Sequence, residues 1–212
     1  IMSADENGKI YKFAEKPKKP DSTLASMGIY IFNRDKLEKY LEADENDPNS
    51  SKDFGKNVIP AMLAAGEKMY AYPFSGYWKD VGTIQSLWEA NMDLLGEHPV
   101  LTLDNSERRV FSRNNAEPPQ FIGSSAVIGN SLITEGCEIY GEVHNSVLFS
   151  GVVVEEGATV RDSVIMNNVV IKRGATVDYS ILDSDVTVGE KASIGKPKDT
   201  SRGITVIGAG LP

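Results

Sequence analysis

The sequence predicts an α/β layer followed by a parallel β-helix of hexapeptide repeats, and three observations support that prediction. Within residues 137–194, aliphatic residues recur in steps of six, six and five, which gives a period of 17 residues. The residue two positions before each aliphatic anchor repeats with the same period. The first 96 residues instead alternate short apolar runs with segments of helical periodicity. Repeats near six residues indicate a β-helix, whereas alternating strands and helices indicate an α/β layer.

The aliphatic anchors of the repeat are predicted to point into one shared core. The anchors are Leu148, Val154, Val160, Ile165, Ile171, Val177, Leu182, Val188 and Ile194. The positions two residues earlier are small or aliphatic, namely Ser146, Ser163, Ser180, Val152, Val169, Val186, Ala158, Ala175 and Ala192. A looser coil precedes them, and residues 204–207 can add a final rung. A β-sandwich is the alternative, but sandwich strands do not keep three registers over three periods.

The α/β layer begins with a predicted hairpin over residues 1–16, because Asn7-Gly8 is a strong turn signal between alternating residues. The apolar run 27–32 predicts a strand that is buried on both faces. Residues 69–74 predict a second short strand.

Three helices are predicted in the same region. Asn33 can cap the first helix, and Asp53 precedes the second, in which Pro60 must either kink the helix or lie in a first turn. Thr83 can cap the third helix, whose Trp88 lies on its apolar side. We therefore place the α/β part at 1–96, a connector at 97–120 and the β-helix at 121–212.

Composition excludes several classes of function. The 212 residues have a formal net charge of −8, which disfavours nonspecific binding to nucleic acid and to anionic membrane surfaces. The sequence contains neither a run of about 18 apolar residues nor a signal peptide. The single cysteine, Cys137, excludes an internal disulfide and fits a reducing cytoplasm, and we interpret it as a core residue.

Four short clusters in the α/β part can together bind a sugar phosphate. They are Glu15-Lys16-Pro17, Ser26-Met27-Gly28, Asp53-Phe54-Gly55-Lys56 and the stretch from Tyr77 to Thr83. Lysine offers a point charge to a phosphate, and carboxylates accept hydrogen bonds from pairs of sugar hydroxyls. An aspartate at a strand end can hold Mg²⁺, and small residues let the backbone approach a ligand. Each cluster alone is a weak signal.

The order of these clusters ahead of a β-helix resembles the bacterial glucose-1-phosphate adenylyltransferases, also called ADP-glucose pyrophosphorylases. The likeness is most specific from residue 51 to residue 95. It implies a partial nucleotidyltransferase domain with a Rossmann-like sheet, then a left-handed β-helix. It also implies the reaction of ATP with glucose 1-phosphate to give ADP-glucose and pyrophosphate, for glycogen biosynthesis.

The resemblance implies a role for each matched position. Glu15 would bind glucose hydroxyls, Lys16 would hold the sugar phosphate as a catalytic residue, and Ser26 would contact the sugar phosphate or ring. Asp53 and Trp78 would line the glucose pocket. Asp80 would act in catalysis as one of two aspartates that hold Mg²⁺. The likeness also implies a homo-oligomer, a tetramer in the intact enzyme, possibly with a related regulatory subunit.

The chain departs from the family in one respect. It has no Gly-rich, Arg-containing loop to cradle the nucleotide, and it offers no counterpart of the second metal-binding aspartate. The opening residues read as the middle of a strand, so we expect a C-terminal portion of the enzyme that is inactive alone.

Three alternatives stay open. A β-helix acyltransferase would use a histidine, and His144 is the candidate. A non-catalytic regulatory subunit of the same family would not need the retained Lys16, Asp53 and Asp80. The third alternative is a pyrophosphorylase for another sugar nucleotide, because no residue of this sequence identifies the nucleotide base.

Overall fold

The computed structural model describes residues 1–15, 17–20, 22–103, 111, 116–198 and 203–210. The chain divides into two compact units, residues 1–78 and residues 79–212, which we call the N-terminal and the C-terminal unit.

The N-terminal unit opens with the predicted hairpin. Strands β1 (Met2–Ala4) and β2 (Ile10–Phe13) pair antiparallel, and Gly8 adopts the positive φ that the turn between them requires. The helices follow the sequence prediction closely. They are α1 (Arg34–Asn46), a π-helix (Phe54–Val58) and α2 (Ile59–Ala64).

Proline placement explains the break between the π-helix and α2. Pro60 lies in the first turn of α2, where its missing N–H leaves no intrahelical bond unmade. Of the two alternatives predicted for Pro60, a kink in the helix or a place in a first turn, the place in a first turn is therefore correct. Val58, Ile59 and Met62 are buried beside this junction, and Ile10 of the hairpin is buried as well.

The two other predicted strands of this unit are wrong. Residues 27–32 form no strand, and the side chains of Ile29 and Ile31 are 73% and 99% exposed. Residues 69–74 form only one isolated bridge, between Tyr70 and Lys9. A strand needs neighbours on its hydrogen-bonding edges and apolar surfaces on its faces. Within the described residues, the run 27–32 has no β partner, so its apolar composition alone does not make it a strand.

The C-terminal unit contains the predicted parallel β-helix, built from three parallel sheets of five strands each among the described residues. The first sheet comprises Phe121–Ile122 (β3), Glu138–Ile139 (β6), Val153–Val154 (β9), Val170–Ile171 (β12) and Thr187–Val188 (β15). The second comprises Val127–Gly129 (β4), Glu142–His144 (β7), Thr159–Arg161 (β10), Thr176–Asp178 (β13) and Ser193–Gly195 (β16). The third comprises Leu132–Ile133 (β5), Val147–Leu148 (β8), Val164–Ile165 (β11), Ser180–Leu182 (β14) and Thr205–Ile207 (β17).

Strand register confirms the predicted anchors. In the first sheet, Val154 pairs with Ile171 and Ile171 pairs with Val188, so the three side chains stack in one column. All three are at most 4% exposed. The last rung, β17, pairs with β14 as the sequence predicted. The hand of the helix stays a prediction from the family resemblance.

The repeated serines form a buried ladder at one corner of the β-helix. Ser163 Oγ donates to the carbonyl of Arg161 at 2.6 Å and accepts the amide of Ser180 at 3.1 Å. The amide of Ser163 in turn donates to Ser146 Oγ at 3.1 Å. A short hydroxyl side chain accepts one backbone amide and donates to one backbone carbonyl at this bend, and the carbonyl of Arg161 also accepts the amide of Tyr179 at 3.0 Å. This pair of hydrogen bonds accounts for the recurrence of serine every 17 residues.

Helix α3 (Ile84–Met92) packs against the outside of the third sheet. A capping box begins it, because Thr83 Oγ1 accepts the amide of Ser86 and Ser86 Oγ accepts the amide of Thr83, each at 3.1 Å. Trp88 is buried against Val164 and Ile181 of β11 and β14. No helix among the described residues combines the length and the apolar character that crossing a membrane requires.

Candidate active site

Asp53 is the N-cap of the π-helix, and this role fixes its carboxylate. Its Oδ1 accepts the backbone amide of Lys56 at 2.9 Å, and its Oδ2 lies 3.6 Å from Lys56 Nζ. The hydrogen bond from the Lys56 amide is the main cause that holds the pKa of Asp53 below its ordinary value, although partial desolvation opposes it. The ammonium of Lys56 lowers the pKa further. Asp53 is therefore a fixed, ionised acceptor.

Gly55 brings a second carboxylate to the same place. A Cβ built on Gly55 would lie 2.9 Å from Glu15 Oε2 and 3.5 Å from Asp53 Oδ1. A side chain at this position would push the Glu15 carboxylate aside, so glycine lets the two carboxylates flank one stretch of backbone in the arrangement seen here. Paired carboxylates of this kind can accept hydrogen bonds from vicinal hydroxyls of a sugar. The structure thus brings together two residues that are 38 positions apart in the sequence.

Ser26 joins this cluster through an aromatic bridge. Ser26 Oγ lies 2.8 Å from the hydroxyl of Tyr30 and accepts the amide of Gly28 at 3.1 Å. The ring of Tyr30 stacks on that of Phe54, with centroids 5.7 Å apart, directly after Asp53. The Ser26 hydroxyl is thereby linked to the loop that holds the two carboxylates. Sequence reasoning missed the role of Tyr30, although the aromatic residue four positions after Ser26 was visible.

Trp78 and Lys16 are the other two residues predicted on the sugar side. Trp78 ends the N-terminal unit and is 46% exposed, so one face of its indole is available for packing on a sugar ring. Lys16 lies outside the described residues, and its role stays a prediction. We call Glu15, Ser26, Asp53 and Trp78 the sugar-side residues.

Asp80 belongs to the C-terminal unit, in the loop before α3. Its Oδ1 accepts the amide of Gly82 at 3.0 Å, and a Cβ on Gly82 would lie 3.2 Å from the same oxygen. The exposed carboxylate still has free lone pairs for a cation. Magnesium commonly uses one or two carboxylates together with waters and substrate phosphates, so Asp80 fits as one oxygen ligand. The described residues contain no group of three or more His, Cys, Asp or Glu side chains that could hold a metal alone.

His144, the residue on which an acyltransferase would depend, makes structural contacts. It lies on β7, with Nε2 3.6 Å from Glu142 Oε2 and Nδ1 3.0 Å from the position of a Cβ on Gly129. A shallow groove of about 320 Å³ elsewhere on the β-helix is lined by Tyr140, Arg173 and three other residues, none of them His144 or a predicted site residue. No observation on the described residues favours acyl transfer.

Two family models match the chain in succession. Residues 1–97 match the family described as Nucleotidyl transferase. Residues 118–210 match the family described as GlmU-like, C-terminal hexapeptide. The two matches agree with the predicted order of a nucleotidyltransferase region followed by hexapeptide repeats.

Curated relatives give a more specific likeness. The chain is 60% identical over 161 residues to a glucose-1-phosphate adenylyltransferase of Clostridium perfringens, covering 76% of this chain and 42% of the relative. It is 55% identical over 161 residues to that of Desulforamulus reducens, with coverage of 76% and 40%. It is 58% identical over 160 residues to that of Bacillus cytotoxicus, with coverage of 76% and 43%. The chain therefore spans less than half the length of these relatives.

Proposed function

Because this chain is homologous to the bacterial glucose-1-phosphate adenylyltransferases, we propose that its protein makes ADP-glucose from ATP and glucose 1-phosphate. A phosphate oxygen of glucose 1-phosphate attacks the α-phosphorus of ATP. The bond from that phosphorus to the bridging oxygen breaks, and pyrophosphate leaves. The product is an activated glucose, and glycogen synthesis is the use that the family resemblance implies.

The cluster of two carboxylates around Gly55 is the observation that supports the sugar half of this proposal most directly. Glu15 and Asp53 flank one backbone segment. Asp53 is held ionised by the amide of Lys56. An ionised carboxylate is a stronger acceptor for a hydroxyl than a neutral one. Together the two side chains can accept hydrogen bonds from the glucose hydroxyls and so orient the ring.

The remaining sugar-side residues complete the substrate contacts. The Ser26 hydroxyl, fixed by Tyr30 and Gly28, can donate to the sugar phosphate or ring. Lys16 supplies a positive charge to the phosphate, and Trp78 packs on the ring. These residues act by positioning the substrates and neutralising charge, which are the main sources of rate in phosphoryl transfer.

Asp80 is the residue that we assign to Mg²⁺ binding. When bound, the ion neutralises charge on the triphosphate. Asp80 supplies one carboxylate oxygen, and its bond to the Gly82 amide keeps that carboxylate in one orientation. A second carboxylate is expected from outside this chain, in line with the family resemblance.

We also expect the intact enzyme to be a homo-oligomer, with a tetramer as the family-based prediction. The first rung of the β-helix supports association, because Phe121, Ile122 and Val127 are 56%, 45% and 50% exposed. The buried, reduced Cys137 is in keeping with a cytoplasmic protein. Light scattering on the complete protein tests the tetramer, and a monomer at high concentration would contradict it.

A substrate survey tests the proposed function. A complete protein that carries this chain is incubated with Mg²⁺, a panel of nucleoside triphosphates and a panel of sugar 1-phosphates, and products are separated by anion-exchange chromatography. We expect ADP-glucose and pyrophosphate in equal amounts. Another sugar nucleotide would change the substrate assignment, and no nucleotidyl transfer would favour the non-catalytic subunit.

The substitution Lys16→Ala separates the two substrates within the same assay. Removing one charged contact to a phosphate costs about 1.5–3 kcal/mol, so KM for glucose 1-phosphate should rise roughly ten- to over a hundredfold. KM for ATP should change little. The control is Lys36→Ala, which removes another lysine that pairs with a carboxylate, that of the partly buried Glu67. Equal increases for both substrates would show that Lys16 does not hold the sugar phosphate.

A further inference from the structure

Lys79 makes the closest ion pair in the loop that precedes α3, although the neighbouring Asp80 is the proposed metal ligand. Lys79 Nζ donates to Asp93 Oδ2 at 2.7 Å and lies 3.5 Å from Glu89 Oε2. The side chains of Lys79 and Asp93 are each only 26% exposed. A short, partly buried ammonium–carboxylate contact of this kind is stronger and less screened by salt than a surface pair.

This ion pair closes the loop onto the far end of the helix. Asp93 is the C-cap of α3, whereas Thr83 is its N-cap. The segment 79–83 is therefore fixed at both ends to the same helix, by Lys79 at one end and by the capping box at the other. Asp80 lies inside this segment, and its carboxylate is held by the amide of Gly82.

Helix α3 is itself anchored on the rigid β-helix. Trp88 is 4% exposed, and its Nε1 donates to the carbonyl of Asp162 at 2.7 Å. Its ring meets that of Tyr179 edge-on, with centroids 5.0 Å apart. The Tyr179 hydroxyl also donates to Gln85 at 3.3 Å. A chain of contacts thus runs from the β-helix through α3 to the loop that presents Asp80.

We propose that Lys79 is a positioning residue, whose ion pair with Asp93 fixes the Asp80 carboxylate in the orientation that metal binding requires. The inference rests on the proposed function, because that function makes Asp80 a metal ligand. The contacts that hold Asp80 in place are observed whether or not that function is correct. Without Lys79, the first residues of the segment would lose the ion pairs with Asp93 and Glu89 that hold them on α3. Asp80 would then sample several orientations, and those that bind the ion would be a smaller fraction.

The test compares Lys79→Met, Lys79→Arg, Asp93→Asn and the double variant Lys79→Met/Asp93→Asn. In the complete enzyme, we expect Lys79→Met to raise the Mg²⁺ concentration for half-maximal rate about tenfold. Lys79→Arg should restore most of the loss, because it keeps the positive charge. The double variant should cost no more than Lys79→Met alone, because Lys79→Met already removes the contact with Asp93. Lys36→Met, which breaks the partly buried pair with Glu67, is the matched control and should leave the Mg²⁺ requirement unchanged.

A second readout needs neither metal nor activity. In the 212-residue chain, the exchange of the Gly82 amide with solvent is measured by NMR, and Lys79→Met should remove its protection while α3 amides stay protected. If the wild-type enzyme makes no ADP-glucose, the proposed function fails, but Gly82 exchange still decides whether Lys79 holds the loop. Unchanged Gly82 protection, an unchanged Mg²⁺ requirement in an active enzyme, or additive single variants would each overturn the positioning role.

Discussion

The N-terminal unit and the β-helix differ in how far they bury similar apolar side chains. Ile171, in the β-helix, is fully buried, whereas Ile31, in an equally apolar run, is 99% exposed. In the β-helix, each strand finds its neighbours 17 residues before and after it, so the repeat supplies its own packing partners. An α/β layer has no such guarantee, because its strands depend on partners far away in sequence. An apolar run therefore forms a strand only where the chain also provides adjoining strands.

The two regions also differ in how they use their polar groups. The anchors of the β-helix are buried and apolar, and its repeated serines use their hydroxyls on the backbone. Among the sugar-side residues, Glu15 and Asp53 keep exposed or partly exposed carboxylates around Gly55. We interpret the β-helix as the rigid support and the N-terminal unit as the part that meets the sugar phosphate.

The largest expected effect is a difference in unfolding free energy between two isoleucine-to-alanine substitutions, one in each unit. Ile171→Ala removes buried methyl groups from the central column and should lower the free energy of unfolding by about 2–4 kcal/mol. Ile31→Ala removes the same atoms from an exposed side chain and should change it by less than about 0.5 kcal/mol. Chemical denaturation followed by circular dichroism measures both. Equal costs would show that 27–32 is packed and that the contrast is wrong.

A smaller effect comes from the serine ladder. Ser163→Ala removes the hydroxyl that accepts the amide of Ser180, and it removes one of the two hydrogen bonds to the carbonyl of Arg161, which still accepts the amide of Tyr179. The expected cost is about 1–3 kcal/mol, the usual penalty for unsatisfied buried polar groups. Ser125→Ala, which removes an exposed bond to the carbonyl of Tyr140, is the control and should be nearly neutral. A neutral Ser163→Ala would mean that the ladder adds no stability.

Sequence reasoning recovered the β-helix almost completely, because its period is visible in the residues themselves. It placed the anchors, the serines and the final rung without help from distant contacts. It also found Asp53 and Thr83, whose capping bonds reach only three residues along the chain. It could not find the approach of Glu15 to Gly55, or the pairing of Lys79 with Asp93, because those contacts depend on how loops fold back in space. It misjudged 27–32 because periodicity does not report whether a partner strand is present.

The smallest expected effect is the pH dependence of the π-helix cap. The folded-state pKa of Asp53 is lowered, mainly by the Lys56 amide, so its stabilising bond is present above the unfolded pKa of about 3.9. That contribution is lost as the pH falls through the lower folded pKa. An NMR titration should therefore show the Lys56 amide shifting below about pH 3.9, and Asp53→Asn should abolish the shift. A midpoint above the ordinary range would contradict the assigned bond.

The most direct test of the account asks whether the 212-residue chain makes ADP-glucose alone. Under the proposed function, this chain supplies the sugar-side residues and one carboxylate for Mg²⁺. It supplies neither the loop that cradles ATP nor the second carboxylate. A single carboxylate holds Mg²⁺ weakly, and without bound ATP the alignment of the two substrates, worth about 7–11 kcal/mol, is lost.

The purified chain is incubated with ATP, glucose 1-phosphate and Mg²⁺, and released pyrophosphate is measured beside the complete protein. We expect no turnover above background, together with weak binding of glucose 1-phosphate that Glu15→Gln and Asp53→Asn each reduce. Turnover within about tenfold of the complete protein, a difference of only about 1.4 kcal/mol in the barrier, would contradict the account and would place the whole catalytic site within these 212 residues.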